Sequence, residues 1–112
     1  MGYIRHHAIV VTSWDENAIN TAHEKADELF GEAVSDVVQS QWNGYRSFLI
    51  PPDGSNEGWT ESDAGDIARE RFKDFLRSKA FVHEDGSSPL AWIEIMYGDE
   101  AGEVGIVANA RR

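Results

Sequence analysis

The stretch Trp42-Asn43-Gly44-Tyr45-Arg46-Ser47-Phe48-Leu49-Ile50-Pro51-Pro52-Asp53-Gly54 decides how this chain reads. Asn43-Gly44 is the strongest short-range signal for a tight hairpin, because both residues tolerate the positive φ angles of a type I′ turn. Tyr45 to Ile50 is rich in strand formers, and Pro51-Pro52 ends the run because proline donates nothing to a ladder. Val37 to Gln41 reads as the partner strand. A two-residue loop would set Trp42 across from Tyr45 and Val38 across from Leu49 on one face.

Upstream of the hairpin lie a strand and a helix. In Ile4 to Thr12, Ala8 and Val10 point one way and Ile9 and Val11 the other, the pattern of a strand inside a sheet. Ser13 and Glu16 fit a capping box. Ile19, Ala22, Ala26, Leu29, Phe30 and Ala33 follow as one helical stripe, and Gly31 suits the C-cap. Glu24, Lys25, Asp27, Glu28 and Glu32 lie off that stripe and face water.

Downstream, Pro51 to Trp59 is a loop, and a helix runs from Thr60 to about Lys79. Thr60 with Asp63 caps it, and Trp59 staples onto Ala64. Ala64, Ile67, Ala68, Phe72, Phe75 and Leu76 form its expected buried stripe. Leu90 to Tyr97 alternates, with Ala91, Ile93, Ile95 and Tyr97 on one face and Leu90, Trp92, Glu94 and Met96 on the other. Gly98 to Gly102 turns the chain, Glu103 to Ala108 returns as a last strand, and Asn109 to Arg112 frays. The order βαββαββ implies an α+β fold: a ferredoxin-like βαββαβ unit plus an extra C-terminal strand, in a single-layer sheet with two helices on one face. Assigning the isoleucine face to the helices leaves Leu90, Trp92, Glu94 and Met96 on the helix-free side. A homodimer would then cover them.

The 112 residues form a single domain, 1–112, long enough to bury a core without staples. Four Trp, five Phe and three Tyr mark it as globular, and the lack of cysteine excludes disulfides and thiolate chemistry. No signal-peptide pattern opens the chain, and no apolar run approaches the about 18 residues a membrane helix needs. The expected location is cytoplasmic, in a bacterial host. A net charge of -10 repels nucleic acid and anionic membranes. It serves solubility, or else mimics a nucleic-acid backbone on a basic partner.

Metal binding is not expected. His6 and His7 are adjacent on a strand and point to opposite faces, while His23 and His83 have no ligand at short spacing. No nucleophile elbow or phosphate loop occurs, and no cofactor is implied. Glu94, between Trp92 and Met96, is the one carboxylate with apolar neighbours and the one acid–base candidate; the plainer reading puts it on a wet sheet face. Arg69, Arg71, Lys73, Arg77 and Lys79 are interleaved with Glu70 and Asp74, so they read as a salt-bridged solvent face rather than a nucleic-acid stripe. Trp42, Tyr45, Trp59 and Trp92 fall at strand ends, turns or the face not given to the helices. They are core-rim plugs or a recognition surface.

At Asn43-Gly44-Tyr45-Arg46-Ser47-Phe48, at Pro52-Asp53-Gly54-Ser55 with Glu57-Gly58-Trp59, and at Asp85-Gly86-Ser87-Ser88-Pro89-Leu90-Ala91-Trp92, the chain resembles small bacteriophage-encoded proteins to which no activity is assigned. The resemblance implies a phage or prophage setting. The expected function is a non-enzymatic binding domain, an accessory protein engaging a host or phage protein or a second copy. Its binding residues would be Trp42, Tyr45, Arg46, Trp59, Trp92, Glu94 and Met96. The alternative is a small-molecule binder or small enzyme with a pocket between the 51–59 loop and the sheet. A closed pocket holding Arg46 and Glu94 favours that alternative; a flat apolar sheet face favours the binding domain.

Overall fold

Strand β1 (Arg5–Ser13) is the middle strand of a five-stranded antiparallel sheet. The computed structural model describes residues 5–53, 60–98 and 104–110. Helix α1 (Glu16–Phe30) and a short 3-10 turn at Gly31–Ala33 precede β2 (Val38–Gln39) and β3 (Arg46–Ile50). Helix α2 (Thr60–Leu76) leads to β4 (Leu90–Gly98) and β5 (Val104–Asn109). The strands lie in the order β2-β3-β1-β4-β5, all neighbours antiparallel. As its two-sided apolar pattern requires, β1 is flanked on both sides, by β3 and β4.

Both helices pack on one face. Ile9 and Val11 of β1, Phe48 and Ile50 of β3, and Leu90 and Trp92 of β4 meet Ile19, Ala22 and Ala26 of α1 and Phe72 and Leu76 of α2 in one core. Phe81, beyond α2, closes it and meets Phe75 edge-on at 5.2 Å. Asp15 rather than Ser13 caps α1, accepting at Oδ1 from the amides of Asn17 and Ala18. Ser13 ties strands together instead: its hydroxyl donates to Pro89 O at 2.7 Å and accepts from the Asp15 amide. Gly31 ends α1 with φ 64°.

Two expectations about faces are overturned. On β4 it is Leu90, Trp92 and Glu94 that turn to the helices, and Ile93 and Ile95 that turn away. The register explains this: Trp92 stands beside Val11 and Glu94 beside Ile9, both fully buried on β1. Strand alternation allows no compromise, so one face goes entirely to the core. On α2, Ile67 is exposed, and the sheet-facing stripe is Arg69, Phe72, Lys73 and Leu76. Arg69 and Lys73 are therefore interior cations, not part of a solvent face.

The hairpin also differs in register. Val38 pairs with Ser47 and Gln39 with Arg46, and the Ser40 amide donates to Tyr45 O at 2.7 Å. Residues 41–44 form the loop, with Asn43 at φ 65° and Gly44 at φ 68°. The Trp42 amide donates to Ser40 Oγ at 3.1 Å, which holds the longer loop closed. The slip is two residues, so every side chain keeps its face. The Thr60–Asp63 cap, the Trp59 staple and the 99–102 turn lie outside the described residues or side chains.

Candidate functional site

The helix-free face of the sheet is built by the outward alternation of five strands. β1 contributes His6, Ala8, Val10 and Thr12, and β4 contributes Ala91, Ile93, Ile95 and Tyr97. Ser47 and Leu49 come from β3, Val38 from β2 and Ile106 from β5. Val10, Leu49 and Ile93 stand in one row across three strands, and Ala8, Ile95 and Ile106 in the next. Ile106 is 65% exposed, and Val38, Leu49 and Tyr97 are also open to solvent. No strand residue with a described side chain on this face is Asp, Glu, Lys or Arg. In a chain with 20 acidic and 10 basic residues, that leaves this face of the sheet without Asp, Glu, Lys or Arg among its described side chains.

On the other side of β4 sits a cluster of buried ions. Glu94 is 2% exposed, Lys73 4% and Arg69 7%. Lys73 Nζ donates to Glu94 Oε1 at 2.5 Å, and His7 Nδ1 lies 3.0 Å from Glu94 Oε2, donating to it. Arg69 Nε stands 3.8 Å from the same carboxylate. The outer ends of the cations meet exposed acids: Lys73 pairs with Glu70, and Arg69 with Asp66 and, at 3.6 Å, with Asp53. Burial alone would lower the Lys73 pKa, but its hydrogen bonds to Glu70 and Glu94, together with their negative charge, hold it above the ordinary lysine value. A hollow of about 310 Å³ opens beside these groups, with Val107 on its wall. Glu94 is engaged on both oxygens by three donors or cations, the setting of a structural ion cluster rather than of a base free to take a proton.

The seven sequence-derived candidates do not converge. Trp42, 74% exposed, and Tyr45 project at the β2–β3 hairpin end. Arg46 Nη2 is 3.3 Å from Glu16 Oε2 at the start of α1, far along the sheet from Glu94. Trp92 is a core residue with the Arg77 guanidinium 5.0 Å over its ring. Met96 is partly buried opposite His7 on the helix side. Trp59 and residues 54–59 of the proposed pocket loop lie outside the described residues. Val10, Leu49, Ile93, Ile95 and Ile106 were missed as surface residues. The signal that could have found them is the pair Arg69 and Lys73, one turn apart and in phase with Phe72 and Leu76, which demands a carboxylate opposite and so turns Glu94 inward.

No family model, curated protein or solved structure matches the chain. Among the described residues no helix is long and apolar enough to cross a membrane.

Proposed function

We propose that the chain is a small acidic, non-enzymatic binding domain that works through its helix-free sheet face. The observation that carries this is the row-by-row apolar surface of half-buried Val10, Ile93 and Ile95 and exposed Leu49 and Ile106, on a face whose described strand side chains include no Asp, Glu, Lys or Arg. Contiguous apolar patches beyond a few hundred Å² on a soluble chain mark interaction sites. A ferredoxin-like unit with an added edge strand is the architecture this reading assumes. The order β2-β3-β1-β4 with both helices over one face supports that unit, and β5 is the addition. The phage-type accessory role, with a host or phage protein as partner, rests on the resemblance at residues 43–48, 52–59 and 85–92.

Catalysis by Glu94 has less support. Arg46 is engaged by Glu16 and Glu94 by His7, Lys73 and Arg69, so the two do not share a pocket. Nucleic-acid binding also loses support, because burial of Arg69 and Lys73 breaks the basic series on α2.

Capture from a bacterial lysate by the tagged wild type and by Leu49→Glu tests the reading. The wild type should hold at least one chain, a foreign protein or an untagged copy, that Leu49→Glu loses while its circular dichroism stays unchanged. An identical set of captured chains from both baits overturns it.

A further inference from the structure

We infer that the occupant of the open face is a second copy of this chain, the two sheets stacked face to face about a two-fold axis. This rests on the binding-face reading above and names its partner. β1 is the middle strand, so the apolar rows are centred on the sheet rather than on one edge. A two-fold axis running along β1 between the sheets lays β3 of one copy over β4 of the other. The Leu49 side of each then covers the Ile93 and Ile95 side of its mate, and Val10 meets itself at the centre. Such an isologous contact needs no complementarity beyond what one face already offers.

The chemistry of the face restricts its partner. A charged surface docked here would bury ions with no counter-charge available from the strands of this face, which strongly disfavours it. The partner must therefore be apolar and uncharged across five strands, and the chain's own sheet has that character. Thr12 and Ser47, hydrogen-bonded to each other at 2.7 Å, lie beyond the Val10 row, and His6 lies beyond the Ala8 row. That polar border around an apolar centre is the anatomy of a protein interface.

The size approaches that of the smallest stable contacts. At about 3.3 Å per residue and about 4.8 Å between strands, the nine, two, five, nine and six residues of β1 to β5 cover on the order of 500 Å² in projection and more over their side chains. Stable contacts begin near 600 Å² per partner.

Sedimentation at about 50 µM, a concentration that populates contacts with a Kd in the low micromolar range or below, tests the dimer. The wild type should run as two chains, and the double variant Leu49→Glu/Ile106→Glu as one, its Kd raised by at least about 100-fold because four carboxylates enter the contact. Both positions are exposed in the single chain, so the variant should keep the wild-type circular dichroism spectrum and lose only the melting temperature that dimerisation contributes. Trp14→Glu, an exposed apolar residue outside the sheet face, should remain two chains. A folded double variant that still dimerises overturns the proposed interface. A wild type that runs as one chain overturns the second copy; if it also loses a lysate protein on Leu49→Glu, the binding-face reading stands with a foreign partner.

Discussion

Glu94 occupies a position that only its neighbours make tolerable. A lone carboxylate under two helices would cost several kcal/mol, and Lys73, Arg69 and His7 offset that cost at both oxygens. Glu94→Gln keeps the shape and removes the charge, leaving two buried cations without their shared anion. A loss of about 3 kcal/mol in urea unfolding is expected, whereas Glu94→Leu combined with Lys73→Met should lose less. An alkaline titration gives a second check. Lys73 has a raised pKa in the folded chain, so its stabilising contribution is full below the ordinary lysine value near about 10.4 and fades as pH climbs through the folded value. The wild type should therefore lose melting temperature above about pH 10, and Glu94→Gln should lose less of it over the same range. Glu94 was legible as the one carboxylate set among large apolar residues. Its direction was not, because Trp92 and Ile93 are both good core residues and only the cations across the layer break the tie.

The elements themselves were legible from pattern, and their phases were less so. β1 declares itself an interior strand through Ala8-Ile9-Val10-Val11, and Gly31 ends α1 with φ 64°, as glycine there suggests. The phase of α2 was hidden because its inward stripe spends two of four positions on Arg69 and Lys73, which hydrophobic periodicity counts as solvent-facing. The hairpin shows the same limit. Asn43-Gly44 does mark the turn, with both residues at positive φ, but the loop takes four residues because Ser40 closes it on Tyr45. Gly44→Val should destabilise the chain by more than about 1 kcal/mol, since a β-branched residue resists φ near 68°. Space around Gly44 is open, so the whole effect would be conformational strain. An unchanged denaturation midpoint would exclude the left-handed conformation at this position.

At the scale of the whole molecule, charge is layered. Glu24, Asp27 and Glu28 on α1, and Asp63, Asp66, Glu70 and Asp74 on α2, are all exposed, while the described strand side chains on the helix-free face include no Asp, Glu, Lys or Arg. Two copies stacked on their sheets would hold these acidic helix layers on the outside, roughly 30 Å apart: about 10 Å between the sheets, and a similar distance from each sheet to its helices. Treated as point charges of -10 each in water, they repel by roughly 14 kcal/mol without screening. At 0.01 M salt the Debye length is about 30 Å and about a third of that repulsion survives; at 0.15 M it is about 8 Å and only a few per cent survives. The point-charge figure is an upper bound, but its sign is fixed. The dimer should tighten by at least about tenfold between those two salt concentrations, the opposite of the weakening expected if the acidic layer docked onto a basic partner as a nucleic-acid mimic. Sedimentation of the wild type across a salt series measures this directly, and a dimer that weakens as salt rises would mean that opposite charges meet across the contact, which the helix-free face does not supply.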